Sequence, residues 1–221
     1  MIGLVRRRYM GSKSNILPAS SYIQNGLIAL YDGIENAGAG IHDANATSWL
    51  NLANTSESIT GIDNTFTWGD DYLLPAANSS SGVIPPYSPV TTEAVIKIIG
   101  TNFVIAVAFN NNGWIALRAN NTLNFYSSGY YAEVQRGEKM SVCCNGANTT
   151  TPDHIYINGV DSIVKTSGGY MNNWVHNRFS LRQQYGNGTA YFYCIRLYNR
   201  ALTEQEVLAN YNIDKIRFGL T

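Results

Sequence analysis

The chain has 221 residues, and its 15 basic and 15 acidic side chains give a formal net charge of zero. Only 14% of the residues are charged, whereas asparagine (25), glycine (20) and tyrosine (15) are abundant, a mixture typical of all-β proteins with many polar turns. The neutral balance argues against binding to nucleic acid or to an anionic membrane, since both need clustered positive charge. No apolar run approaches the length of a membrane-spanning helix.

We interpret residues 1–20 as a basic arm that precedes a single domain, residues 21–221. The arm lacks the apolar stretch of a secretory signal, so we expect the chain to be made in the cytoplasm without export through such a signal. Two interpretations stay open: an arm that docks onto a partner, or a frayed, solvated tail. Four of the 15 basic residues fall within its first 13 positions: Arg6, Arg7, Arg8 and Lys13.

The body of the sequence predicts strands in series, because short apolar runs alternate with turn residues. A first strand begins after Gly26, and the irregular stretch 33–63 follows it, with Trp49 and Leu52 as expected inward anchors. Segment 74–91 holds four of the six prolines and is predicted to be a loop. The remaining predicted strands are 66–73, 92–100, 103–109, 113–119, 122–127, 139–145, 154–158, 160–165, 178–184 and 189–199.

Turn chemistry supports this series of strands. The pair Asn158-Gly159 predicts a two-residue hairpin, because both centres of a type I′ turn need positive φ. Strands about ten residues apart with such turns indicate a sandwich or a jelly roll.

One helix is predicted, at the carboxyl end of the chain. Thr203 and Glu206 have the spacing of a capping box, in which each side chain bonds the backbone N–H of the other residue. Val207, Leu208 and Tyr211 then fall on one face, which we expect to lie on a sheet.

The three cysteines are too few and too irregularly spaced for a disulfide framework or a zinc site. We predict that Cys143, Cys144 and Cys194 are small buried residues, with the two adjacent ones on opposite faces of a strand.

The last predicted strand and the helix carry a recognisable motif. Residues 195–202 read IRLYNRAL and are followed by the capped helix. This run resembles the end of laminin-G-like, concanavalin A-like domains, and residues 26–52 are similar to the opening of the same family. The resemblance implies an all-β, two-sheet antiparallel jelly-roll sandwich with a short carboxyl-terminal helix and an extended amino-terminal arm. Within the family, the chain looks most like the domains of structural proteins in tailed bacteriophages and prophages.

Arg196 interrupts an otherwise apolar face of the last strand. We expect it to meet a carboxylate or to stack on a tyrosine ring, and to have a structural role.

Many relatives with this fold are glycoside hydrolases or lyases, so we searched for paired carboxylates. The retaining hydrolases need two carboxyl groups about 5 Å apart, which the family supplies through a Glu-x-Asp-x-(x-)Glu run. None of the 15 acidic residues has that spacing, and no nucleophile elbow, phosphate loop or zinc-protease motif occurs. The three histidines, His42, His154 and His176, are scattered. The sequence therefore predicts that the chain is not an enzyme.

A calcium ion is the one cofactor that the sequence suggests. Asp32, Glu35 and Asp43 gather carboxylates in one loop, and laminin-G-like domains often bind calcium at a sandwich rim. The alternative is that Asp32 and Asp43 merely cap turns.

Aromatic residues beside asparagine or glycine are candidates for sugar binding, since one group stacks while the other hydrogen-bonds. The alternative is that they fill the core. The candidate ligand-binding residues are Tyr130, Tyr131, Trp174 and Trp114.

From these features we expect a non-enzymatic virion protein of a bacteriophage or prophage: a capsid decoration, head-fibre or tail-associated component with a lectin-like domain. Its expected partners are other virion proteins, a cell-surface glycan and further copies of itself. The alternative is a free bacterial carbohydrate-binding lectin or a degenerate glycoside hydrolase.

Overall fold

The computed structural model describes nine stretches of the chain: 16–76, 89–100, 104–109, 113–117, 121–125, 130–145, 154–165, 179–181 and 188–221. The four basic arm residues, Trp174 and most of the predicted loop 74–91 lie outside them. Among the described residues, no helix has the length and apolar character needed to cross a membrane.

The described residues are mostly β-structure. After a short 3-10 helix at Ala19–Ser21, the strands in chain order are β1 (Leu27–Asp32), β2 (Ser48–Trp49), β3 (Ile59–Thr60), β4 (Phe66–Trp68), β5 (Leu73–Pro75), β6 (Thr91–Ile99), β7 (Val104–Phe109), β8 (Gly113–Leu117), β9 (Thr122–Phe125), β10 (Tyr130–Glu133), β11 (Lys139–Asn145), β12 (His154–Ile157), β13 (Val160–Asp161), β14 (Val164–Lys165), β15 (Phe179–Leu181) and β16 (Thr189–Tyr198). Helix α1 (Glu204–Phe218) follows the last strand.

The strands form two main antiparallel sheets. An eight-stranded sheet has the order β13-β12-β11-β6-β16-β5-β4, with β1 also paired to β16, and a six-stranded sheet has the order β14-β10-β9-β8-β7-β15. Strands β2 and β3 make a small separate ribbon. The predicted all-β antiparallel sandwich with a carboxyl-terminal helix is confirmed.

The apolar core takes residues from both sheets. Ile96, Phe192 and Ile195 of the eight-stranded sheet share one buried cluster with Leu123 and Ala132 of the six-stranded sheet. Trp49 is fully buried in the same cluster, as predicted, while Leu52 is partly buried against a second one. The second cluster contains Leu30, Val95 and Tyr193 of the eight-stranded sheet, together with Ala19 before β1 and Phe218 of α1.

Most predicted strands are observed, with four differences, the first being that β2 and β3 lie in the stretch 33–63 that was predicted to be irregular. The predicted strand 66–73 is a hairpin of β4 and β5, and the predicted strand 160–165 divides between the two sheets as β13 and β14. Strand β10 was not predicted. The type I′ turn is confirmed, because Asn158 has φ 52° and Gly159 has φ 75° between β12 and β13.

Residues 16–20, which the sequence assigned to the arm, already pack on the domain. Ala19 is buried, and its N–H donates to Glu35 Oε1 at 2.9 Å. Tyr22 follows, also buried, with its hydroxyl donating to Asp214 of α1 at 2.8 Å. The division into residues 1–20 and 21–221 stays a prediction.

Helix α1 begins as predicted but buries a different face. The Thr203 side chain accepts from the Glu206 N–H, and Glu206 bonds back to the Thr203 N–H. Leu208, expected to face the sheet, is 46% exposed. The buried helix residues are Val207, Asn210, Asp214, Arg217 and Phe218, so most of the inward face is polar.

Leu208 and Tyr211 instead lie beside the β12–β13 turn, where a Cβ added to Gly159 would meet Tyr211 Cδ1 at 2.9 Å. The apolar spacing therefore predicted the burial of Val207 correctly and that of Leu208 wrongly. The sheet beneath α1 carries charged and polar groups, and the helix residues that match them are polar.

The cap of α1 makes stability depend on pH at the acid end. Hydrogen bonds from the Arg200 guanidinium, and then from the Thr203 N–H, lower the pKa of Glu206 from 4.5 to about 2. A depressed carboxyl pKa adds stability above the unfolded-state value, and this contribution is lost as pH falls from about 4.5 towards 2. The pair is partly exposed, so the contribution is small.

We therefore expect Glu206→Gln to lower the free energy of unfolding at pH 7 and to match the unmodified chain near pH 2. Urea unfolding at several pH values measures the difference between the two proteins. A difference that does not shrink between pH 4.5 and 2 contradicts this assignment.

Candidate functional site

Two of the candidate ligand-binding residues, Tyr131 and Trp114, occupy positions on the face of the six-stranded sheet that is turned away from the core. Leu123 and Ala132 are paired in register and buried in the core between the sheets. Because side chains alternate along a strand, their neighbours lie on the opposite face. Tyr131 of β10 is paired with Asn124 of β9, and Asn124 is paired in turn with Ala116 of β8. Trp114 lies two residues before Ala116 on β8, and therefore at a position on the same face. We call the positions Trp114, Asn124, Tyr131 and Glu133 the outer sheet face.

This face has the residue types of a sugar-binding surface. Tyr131 is half-buried and Glu133 is exposed. Positions 131 and 114 are two strands and two residues apart, which corresponds to roughly 12 Å. Asn124 occupies the strand between them.

Two other predicted binding residues are placed differently. Positions 130 and 131 are adjacent on β10, so alternation along the strand assigns them to opposite faces of the sheet. Trp174 lies outside the described residues. Asn124 was missed by sequence reasoning, although the alternation of Thr122–Phe125 was the signal that could have placed it beside Tyr131.

The three predicted calcium ligands have other partners in the structure. Asp32 is buried, its Oδ1 accepting from the N–H groups of Ile34 and Glu35 and lying 2.8 Å from Arg217 Nη2. Glu35 Oε1 lies 3.3 Å from Arg217 Nη1, and its Oε2 accepts from Gly40 N–H at 3.1 Å.

Asp43 is exposed, and its Oδ1 accepts from the Asn45 N–H at 2.9 Å. The described residues contain no group of three or more His, Cys, Asp or Glu side chains arranged for a metal ion. Calcium binding stays a prediction of the sequence.

Burial dominates the electrostatics of Asp32. It raises the pKa of this carboxyl, and the Arg217 guanidinium opposes the rise. Arg217 thus pairs with Asp32 at the end of β1 and with Glu35 in the loop after it, and also donates to the Leu17 carbonyl. This cluster joins the end of α1 to the segment before β1.

A second buried charge cluster surrounds Arg196, and both sequence expectations for this residue are confirmed. Arg196 Nε donates to Glu93 at 2.7 Å, and its two Nη atoms donate to the carboxylate of Asp214 at 2.6 and 2.8 Å. The guanidinium also stacks on the Tyr22 ring, 4.2 Å from its centroid. Burial alone lowers the pKa of Arg196, but Asp214 and Glu93 more than reverse this effect.

The cysteines are buried and free, as predicted. Cys144 belongs to the cluster between the sheets, whereas Cys143 belongs to a cluster with Val207 of α1, so they lie on opposite faces of β11. Burial raises the pKa of Cys144 to about 12, which keeps this thiol protonated and unreactive.

No protein-family model matches the sequence, and no curated protein matches it either. The fold is similar to part of Trypanosoma rangeli sialidase. A mutant of that protein displaying trans-sialidase activity aligns with a TM-score of 0.54 and 13% identity, over 89% of this chain and 34% of that chain. The complex with sialic acid aligns with a TM-score of 0.52 and 12% identity, over 86% of this chain and 33% of that chain.

The binding domain of botulinum neurotoxin DC, in a complex with rat synaptotagmin II, aligns with a TM-score of 0.49 and 12% identity over 86% of this chain and 52% of that chain. This likeness is too distant to support an inference. The chain spans about a third of the length of the sialidases it matches.

The similarity to sialidases contradicts the prediction that the chain is not an enzyme. That prediction tested one local pattern, two carboxylates close together on a single strand. The fold also pairs acids from distant segments, as Glu93 of β6 and Asp214 of α1 show by meeting on Arg196. The missing pattern therefore does not exclude glycoside hydrolysis.

Proposed function

We propose that the protein binds carbohydrate through the outer sheet face. The observation that carries the proposal is the register, which places positions 131, 124 and 114 on one face of the six-stranded sheet. An aromatic ring offers a sugar a flat apolar surface, and an asparagine amide offers a donor and an acceptor for hydroxyl groups. Tyr131 belongs to a paired strand and is half-buried, so part of its side chain is exposed and can contact a sugar.

Further support comes from the fold. One similar structure is a sialidase in complex with sialic acid, so the architecture occurs within a protein that handles a sugar. The match covers a third of that protein, and the identity of the sugar for this chain is not carried over.

A glycan array is the test, run with the full chain and four variants. We expect the unmodified chain to bind a defined glycan class, and Tyr131→Ala and Trp114→Ala each to weaken binding at least tenfold, about 1.4 kcal/mol. Tyr211→Ala is the matched control, because Tyr211 is a partly buried tyrosine on α1, far in sequence from this sheet. Including Trp174→Ala tests the remaining aromatic prediction.

Absence of glycan binding by the unmodified chain refutes the proposal. Equal losses in Tyr131→Ala and Tyr211→Ala also refute it, because they indicate a general loss of folded protein. Circular dichroism on each variant separates these two results.

The place of this binding protein in a bacteriophage or prophage particle is a further proposal, and the sequence resemblance at the two ends of the chain supports it. In this proposal the arm residues Arg6, Arg7, Arg8 and Lys13 dock onto another virion protein or a further copy of the chain. Mass spectrometry of purified particles tests it, and failure to detect the chain refutes it. A free carbohydrate-binding lectin is then the remaining interpretation.

A further inference from the structure

A cavity of about 700 Å³ lies beside β1, remote in sequence from the outer sheet face. Most of its walls come from the segment 16–24 before β1, the loop after β1 and residues 50–55, and Leu30 of β1 and Asp70 complete them. This volume is in the range of small-molecule sites, about 300–1,000 Å³. The surface of the cavity is mostly aliphatic, with Leu17, Leu30, Ile34, Leu50 and Leu52 as its main apolar residues.

The carboxyl groups in this wall are not matched by a lysine or an arginine in the described lining. Glu35 and Asp70 contribute carboxylates, and no lysine or arginine is among the described residues that line the cavity. Glu35 is held in place by Ala19 N–H and Gly40 N–H, and Arg217 pairs with it from outside the lining. Arg217 also pairs with Asp32, so its positive charge is shared between two carboxyl groups.

His42 adds an acceptor to the same wall. Its Nδ1 lies 2.9 Å from the Gly33 carbonyl, which only accepts, so Nδ1 carries the proton in that contact. In the neutral ring the other nitrogen, Nε2, then has a free lone pair. Acidic oxygens and this nitrogen all favour a ligand that donates hydrogen bonds.

We propose that this cavity binds a small amphipathic cation, an aliphatic chain that carries one ammonium group. The aliphatic walls take the chain, and the carboxylate of Asp70 in the lining takes the ammonium. A fatty-acid carboxylate of the same length is disfavoured, because it meets like charges and finds no described cation in the lining. A sugar ring is disfavoured because the described lining contains no phenylalanine, tyrosine or tryptophan to stack on.

Calorimetric titration of the full chain with hexylammonium and with hexanoate at pH 7 and low salt is the test. The two probes share the chain length and differ in the sign of the head group. We expect hexylammonium to bind at least tenfold more tightly than hexanoate. Amide chemical shifts that change at Gly38, Gly40 and Leu52 are expected to locate the bound probe in the cavity.

Three variants complete the design. Asp70→Asn removes an exposed carboxylate of the lining and is expected to weaken hexylammonium binding several-fold while hexanoate binding does not fall. Leu50→Trp places a bulkier ring in the cavity wall and is expected to weaken binding of both probes. Glu138→Gln is the control, an exposed acid in the turn between β10 and β11, and is expected to change neither affinity.

Tighter binding of hexanoate, or equal binding of both probes, overturns the proposal. Failure of hexylammonium to bind also overturns it, as do shift changes confined to other parts of the protein. If Leu50→Trp fails to fold, Asp70→Asn and the shift map still decide the outcome. None of these results bears on the glycan array, because the two sites share no residue.

Discussion

Arg196→Met is expected to lower the free energy of unfolding by about 3–5 kcal/mol, the usual cost of removing one partner from a buried ion pair. Arg196 has no exposed surface, and neither does Asp214, while Glu93 is 1% exposed. Methionine keeps much of the side-chain volume but supplies no positive charge. Two carboxylates would then remain in the layer between the eight-stranded sheet and α1 without their shared cation.

The neighbouring groups cannot replace the guanidinium. Tyr22 and Ser141 each donate one hydrogen bond to Asp214, at 2.8 Å, and Asn210 donates one to Glu93 at 2.8 Å. These donors are neutral, so they solvate the carboxylates without balancing their charge. The expected consequence is protonation of one carboxyl group or separation of α1 from the sheet.

Urea unfolding at pH 7 measures the effect, with Arg200→Met as the matched control. Arg200 lies in the same motif and pairs with Glu206, but both side chains are about one-quarter exposed, so its loss is expected to cost less than about 1 kcal/mol. Adding Glu93→Gln and Asp214→Asn to Arg196→Met should restore part of the stability. A cost for Arg196→Met no larger than that for Arg200→Met contradicts the account.

The sequence predicted strands better than it predicted how the helix packs. Strand β11 was predicted with the observed bounds, because turn residues flank a run whose two faces are both buried. For α1, apolar spacing pointed to Leu208, whereas the observed inward face is Asn210, Asp214 and Arg217. Polar residues on a helix normally indicate a solvated face. Here the buried Arg196 of β16 needs a carboxylate partner, and Asp214 of α1 supplies it. Only the tertiary structure brings these two residues together.

The candidate sites show the same limit. Tyr131 and Trp114 were found in the sequence because they follow glycine-containing turns, but their common face depends on the β8–β9–β10 register. The register also separates Tyr130 from them. The cavity beside β1 was not predicted, because its walls come from three segments that have no common pattern along the chain.

Gly33→Ala is the second substitution with a large expected effect, about 3 kcal/mol of unfolding free energy, at the upper end of the usual cost of overpacking. A Cβ on Gly33 would lie 2.3 Å from the carbonyl oxygen of Asp71, 2.7 Å from its carbon and 3.0 Å from the Tyr193 oxygen. All three are backbone atoms, so no rotamer change relieves the contact. Gly33 N–H also donates to the Tyr193 carbonyl at 2.8 Å, which holds it against β16.

The loop that would have to move is fixed on its other side. The Asp71 carboxylate lies 3.1 Å from Lys139 Nζ. The ring of the next residue, Tyr72, packs edge-on against Tyr191 and Tyr193 of β16. Asp71→Asn removes the ion pair without adding an atom at Gly33, and the pair is partly exposed, so this control is expected to cost less than about 1 kcal/mol. Urea unfolding of both variants therefore separates steric displacement from loss of charge. Equal costs for the two substitutions would show that the approach of Gly33 to Asp71 does not limit the packing of β1 on β16.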